Sequence, residues 1–308
     1  MEIIKRNLFQ YCVQPVGLYF VLPLVEKSFL TYIKFGRKFG LDDENQHVDG
    51  DLHWAIQNEF TEIALYFIEE GEDTNRLDSN QRSPLDWALE KDLFEVFKAL
   101  IENQADVNFV GPNNLSLLFS AICQDKEEYA EILIQNGANV NWVCLNSNRT
   151  SLHAAAVFGA TGIAKTLINN GAEINAKTIN LQSPLHWACG EGHQEMVQIL
   201  IENGASLNMK DITKNKPIHY ASDGGNGSYA ECLEILVQHG TNLESRGLDN
   251  LTPLQMATDG KYKATAQLLL HYGANRNIKD NFGLYPIEQA MANEVLNSFK
   301  LLAFFNQN

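Results

Sequence analysis

The stretch that decides the fold is Ser183–Asn208, SPLHWACGEGHQEMVQILIENGASLN. Ser183 is a good helix N-cap and Pro184 suits the first helical turn, where a missing N–H costs nothing. Leu185, Ala188 and Cys189 then form the buried stripe of a helix of about two turns. A Gly192-His193 break follows, and Met196, Val197, Leu200 and Ile201 resume the helical spacing. Gly204 ends this second helix, because a left-handed terminal position favours a residue without Cβ. A polar, turn-rich stretch, Lys210–Lys214, leads to the next start at Lys216-Pro217.

The same phrase recurs in phase. Its alanine stands at 55, 88, 121, 155, 188, 221, 257 and 290, in steps of 33, 33, 34, 33, 33, 36 and 33. Sixteen residues after six of these alanines comes the helix-ending marker, at Gly71, Gln104, Gly137, Gly171, Gly204 and Gly273. A period in this range marks stacked units, each too small to bury an apolar face alone. The two larger steps mark insertions. The second, at 223–228, lies between two helices; its glycines follow a helix and no Lys-Ser/Thr closes the phrase, so it reads as a surface loop and not a phosphate cradle.

These residues resemble the ankyrin repeat. SPLHWA, TSLHAA (Thr150–Ala155), KPIHYA (Lys216–Ala221) and TPLQMA (Thr252–Ala257) carry the likeness, with NGANVN, NGAEIN, NGASLN and YGANRN at the helix ends. The resemblance covers residues 47–308 and about eight units. It implies an all-α solenoid of helix–turn–helix repeats, each followed by a hairpin loop, with hairpins and first helices lining a concave side. The units depart from the pattern at Asp51 in place of proline, and at Asp86 and Phe119 in place of histidine.

Residues 1–46 stand outside the repeat and suggest two helices. Two readings fit them: a cap over the apolar end of the first repeat, or a docking segment that uses Lys34, Arg37 and Lys38 beside Phe35 and Phe39 on a partner or an acidic membrane surface. The apolar run Val16–Val25 is too short for a membrane span and contains Pro23. The chain carries a formal charge of −15, and residues 1–46 hold six basic and five acidic residues, leaving 17 and 33 for the rest. Such a body repels nucleic acid and leads to the expectation of a protein partner, basic if charged. Five scattered cysteines without paired spacing point to a reducing, cytoplasmic setting.

No motif for catalysis, cofactor or metal binding stands out. His186-x-x-Cys189-x-x-x-His193 has metal-like spacing but no fourth donor, and the resemblance makes its histidines structural. The expected function is therefore protein–protein recognition, with no enzyme activity and no cofactor. The alternatives are an adaptor of the ubiquitin-ligase type or a secreted bacterial effector acting in a host cytoplasm. Trp54, Trp87, Trp187 and Tyr220 precede the repeat alanine and are expected to line the core. Phe109, Trp142, Val143, Val157 and Phe158 are apolar where other units are varied or polar, so they are the expected partner-binding residues, forming one spot at the centre of the stack.

Overall fold

The computed structural model describes residues 50–224 and 227–292. The segment 1–46, with its cap and docking readings, lies outside them, as do Gly225 and Asn226 of the insertion. Fifteen α-helices occupy the described residues: α1 (Asp51–Gln57), α2 (Thr61–Glu69), α3 (Pro84–Glu90), α4 (Phe94–Glu102), α5 (Leu117–Cys123), α6 (Glu127–Gln135), α7 (Ser151–Phe158), α8 (Thr161–Asn169), α9 (Pro184–Glu191), α10 (Gln194–Glu202), α11 (Pro217–Ser222), α12 (Gly227–Gln238), α13 (Pro253–Asp259), α14 (Lys263–His271) and α15 (Pro286–Ala292). The chain divides into two units, Met1–Asn113 and Asn114–Asn308. In each, helices pair through short turns and every pair is followed by a hairpin loop. Among the described residues no helix is long and apolar enough to cross a membrane.

All eight marker alanines are fully buried. Within each unit the first helices pack side by side at these alanines, and neighbouring pairs share a core. Leu85 and Val96 are buried in the first unit; in the second, Leu152, Leu185, Ile218 and Leu254 from first helices and Ile163, Val197, Leu233 and Leu269 from second helices are buried. Burying each such side chain contributes about 1.5–3 kcal/mol. The second helices end at glycines with φ of +80° to +90°, as at Gly171 and Gly204. Gln104 adopts the same left-handed conformation with φ +67°, a strain tolerated in one unit only.

The histidine of the Pro-Leu-His phrase does two jobs at once. In α9 the Ser183 amide donates to His186 Nδ1 at 3.0 Å, so Nε2 carries the proton and donates to the Asn215 carbonyl of the next hairpin at 3.2 Å. His153 likewise receives from the Thr150 amide and reaches the Gln182 carbonyl, and His219 receives from the Lys216 amide and reaches the Ser245 carbonyl. Gln255 reproduces the arrangement without a ring: its Oε1 accepts from the Thr252 amide and its Nε2 donates to the Ile278 carbonyl. Asparagines make a second tie at the hairpin base. Asn141 donates to the Gly171 carbonyl and accepts from the Glu173 amide, and Asn175 repeats this with Gly204 and Ser206.

Burial pushes the imidazoles of His153 and His186 down to about 4, against the bonds to hairpin carbonyls that favour the charged form. Their unfolded value is about 6.5. As pH falls below that value, the unfolded chain takes up protons that the folded chain refuses. The contribution of these residues is thus complete above pH 6.5 and is lost as pH falls toward 4. His186→Gln should keep both bonds, as Gln255 does, and show a smaller drop in urea midpoint between pH 7.5 and 4.5 than the parent chain. His186→Ala, which orphans two buried partners, should lose about 2 kcal/mol or more at pH 7.5. An unchanged drop for the glutamine variant would show that this imidazole is not the titrating group.

Candidate functional site: the hairpins and inner helices

Each hairpin needs an internal scaffold, because its short loop has backbone donors and no sheet to satisfy them. Three of them use a buried aspartate. Asp211 Oδ1 accepts from the amides of Thr213 and Asn215, both at 2.8 Å, and Oδ2 accepts from the Tyr220 hydroxyl at 2.6 Å. Asp78 binds the Asn80 and Arg82 amides and the Trp87 indole N–H in the same way. Asp280 binds the Phe282 and Leu284 amides and the Gln289 side-chain amide. The partner always lies nine residues on, in the slot before the repeat alanine. Burial acts to raise the Asp78 carboxyl, but bonds from the Arg82 amide, Trp87 and the Asn80 amide outweigh it and hold it below the usual carboxylate range.

This corrects the expectation that the residues before the alanine line the core. Trp54, Trp87, Trp187 and Tyr220 are half-buried; Trp54 lies against Phe60 at the turn between α1 and α2, and Trp87 and Tyr220 lock the hairpin that precedes them. Where the aspartate is replaced, its partner is left over. Thr178 accepts only from the Gln182 amide, and the buried Trp187 indole N–H has no hydrogen-bond partner. The Arg149 guanidinium covers that ring instead, 4.5 Å from its centroid.

The expected partner-binding residues fall into three places. Phe109, in the first unit, is half-buried at its hairpin base. In the second unit Trp142 packs on Phe119, with ring centroids 6.1 Å apart, so the aromatic on the hairpin compensates for the histidine that α5 lacks. Val143 pairs with Thr150 across the same hairpin and is 41% exposed. Val157 and Phe158 sit at the opposite end of α7, about 10 Å further along a helix rising 1.5 Å per residue. The Val157 carbonyl accepts from His193 Nε2 at 2.8 Å, and Phe158 is 53% exposed. The five residues therefore do not form one spot. The ring nitrogens of His186 are both engaged by backbone or Ser183, and Cys189 is fully buried.

A different set is brought together. The hairpins of the second unit expose Leu145 (72%), Ile179 (57%), Ile212 (66%), Leu248 (46%) and Phe282 (84%) at their tips, with Val143, Leu181 and Leu284 also exposed on the same loops. Below the tips opens a concavity of about 350 Å³, lined by Asn180, Gln182, Ile212, Tyr220, Leu248 and Met256. The signal was present in the sequence, since these positions follow one another at 34, 33, 36 and 34 residues. It lies in the loops, where the repeat phrase gives no apolar expectation.

Family comparison agrees with this geometry. A model described as "Ankyrin repeats (3 copies)" matches residues 39–110, 94–178 and 178–247, and one described as "Ankyrin repeat" matches 249–281. The chain is an ankyrin-repeat protein. Among solved structures it is similar to the human ASB11 ankyrin repeat domain, at 27% identity and a TM-score of 0.63, over 73% of this chain and 98% of that one. No curated protein matches it. Ankyrin repeats are in general scaffolds for protein–protein interaction.

Trp142→Ala should lower the stability of the second unit by about 2 kcal/mol, because it uncovers Phe119. Phe158→Ala should change it by less than about 0.5 kcal/mol, as an exposed surface truncation does. Denaturation midpoints of the two variants check this. Equal midpoints would place Trp142 outside the packing.

Proposed function

We propose that this ankyrin-repeat protein binds a partner protein along the hairpins and inner helices of its second unit. One observation carries the reading: five successive hairpins each expose an apolar side chain, and two of these, Ile212 and Leu248, border a concavity, in loops whose backbone is held by internal bonds. Exposed aliphatic and aromatic groups on a rigid frame lose little entropy on docking. Trp142 and Val143 belong to this face through their hairpin, with Val143 available for contact. Phe158, with Val157, would serve only a partner long enough to reach the far end of α7. The buried free thiols of Cys144, Cys189 and Cys232 support a reducing, cytoplasmic setting.

A photo-reactive phenylalanine analogue placed singly at Ile212, Met256 and Glu128 tests the assignment. Illumination of cells expressing the full chain should give a discrete protein adduct from positions 212 and 256, and none from Glu128 on α6. Adducts from 128 alone would move the site to the second helices.

A further inference from the structure

The net acidity of the chain is not the charge of this face. The tip segments of the second unit carry Arg149, Lys177, Lys210, Lys214, Arg246 and Lys279. Two of the three carboxylates on the same segments, Asp211 and Asp280, are buried with both oxygens taken by hairpin or helix donors. The third, Asp249, is exposed beside Leu248. Exposed acids of the second unit stand on second helices, at Glu127, Glu128, Glu195, Glu202 and Glu231, and at the ends of first helices, at Glu191, Asp223 and Asp259, of which Asp223 borders the concavity below the tips; Glu173 is exposed at a hairpin base. Among the described residues, Lys177, Lys210 and Lys214 pair with no carboxylate. Burial, and after it the Lys210 charge, lowers the pKa of the neighbouring Lys216, so a further cation stands close to these lysines. A basic partner would meet repulsion at these tips.

The apolar groups are fixed in relation to one another. The Ile179 amide donates to the Ser147 carbonyl at 3.0 Å, and the Ile212 amide donates to the Asn180 carbonyl at 2.9 Å. The Leu248 amide donates to Asn215 Oδ1 at 2.8 Å. The backbone of these three tip residues is thus tied to the hairpin before it. Packed helices lie about 8–10 Å apart, and an extended chain advances about 3.1–3.4 Å per residue. Successive tips therefore match every third residue of an extended ligand. Asn180, Gln182 and Thr213 line the concavity beside the row and offer hydrogen bonds to a ligand backbone, which a lipid surface does not have.

We propose that the hairpin tips of the second unit bind an extended acidic segment of a partner protein, with an apolar side chain at about every third residue set among Asp and Glu. This rests on the protein-binding reading above and names the chemistry of its partner. The test is selection of a phage-displayed library of random 15-residue peptides on the full chain. Enriched clones should be acidic, with Leu, Ile or Phe spaced by about three residues. Their synthetic peptides should lose about tenfold or more in affinity for the K177E/K210E/K214E variant and for I179D/I212D, with affinity falling as salt rises. Circular dichroism should show both variants folded, since every altered side chain is exposed. Basic or uncharged enriched sequences, or acidic peptides that bind the charge-reversed variant equally, overturn the proposal. So does the absence of enrichment together with sedimentation on phosphatidylserine vesicles that the same variants abolish, which would give the face to a membrane. The crosslinks at 212 and 256 are independent of ligand charge. Their presence with a failed selection would leave protein binding standing and remove only the acidic segment.

Discussion

A side chain three residues into each first helix decides how one repeat holds the next. Its inner atom closes the start of its own helix and its outer atom grips the carbonyl of the following hairpin. No repeat can bury its own apolar face, so an interaction that fixes the distance between neighbours also fixes the shared core. The requirement is an acceptor and a donor about one ring apart, aimed in opposite directions. His153, His186 and His219 meet it, and so does Gln255. Phe119 cannot, and there an aromatic contact to Trp142 does the same work by packing. Glu288 can only accept, and it caps its own helix through the Tyr285 amide.

The hairpins inherit this order. With their bases held by asparagine and their inner turns by Asp78, Asp211 or Asp280, the loops become a rigid surface. Coupling of the tip aspartate to an aromatic or amide nine residues on explains why the slot before the alanine varies so much. It tracks the loop, not the core: Trp187 keeps the aromatic although Thr178 has lost the carboxylate, and its indole N–H goes unsatisfied. A binding face made this way can change its tip residues freely, since the bonds that hold the tips come from elsewhere.

The helices, their ends and their pairing were legible because they rest on local rules. Caps, the buried alanine and the glycine that turns left all recur at a fixed step. His153, His186 and His219 each hold backbone groups with both ring nitrogens. The binding face was harder to see. Trp142 stood out as an aromatic in a loop, yet its reason is Phe119, 23 residues earlier, and only folding brings the two together. Val157 and Phe158 were grouped with it by repeat number, whereas a helix of eight residues separates the two ends. A sum over the chain does not show where the charges stand: Lys177, Lys210 and Lys214 are exposed on hairpin tips, whereas Glu127, Glu128, Glu191, Glu195 and Asp259 are exposed on helices. Leu145, Ile179, Ile212, Leu248 and Phe282 keep the period as faithfully as the alanines do, but a loop position has no rule that demands an apolar residue.

The central claim is that neutral, Nε2-protonated imidazoles of His153, His186 and His219 bridge their repeats to the next hairpin. Nitrogen-15 NMR of the labelled side chains reads tautomer and protonation state directly. At pH 6 the rings of His153, His186 and His219 should all show one protonated nitrogen, Nε2, and one bare acceptor, Nδ1, and His153 and His186 should hold that state until pH approaches 4. Rings that carry two protons at pH 6, or exchange between tautomers, would contradict the bridge.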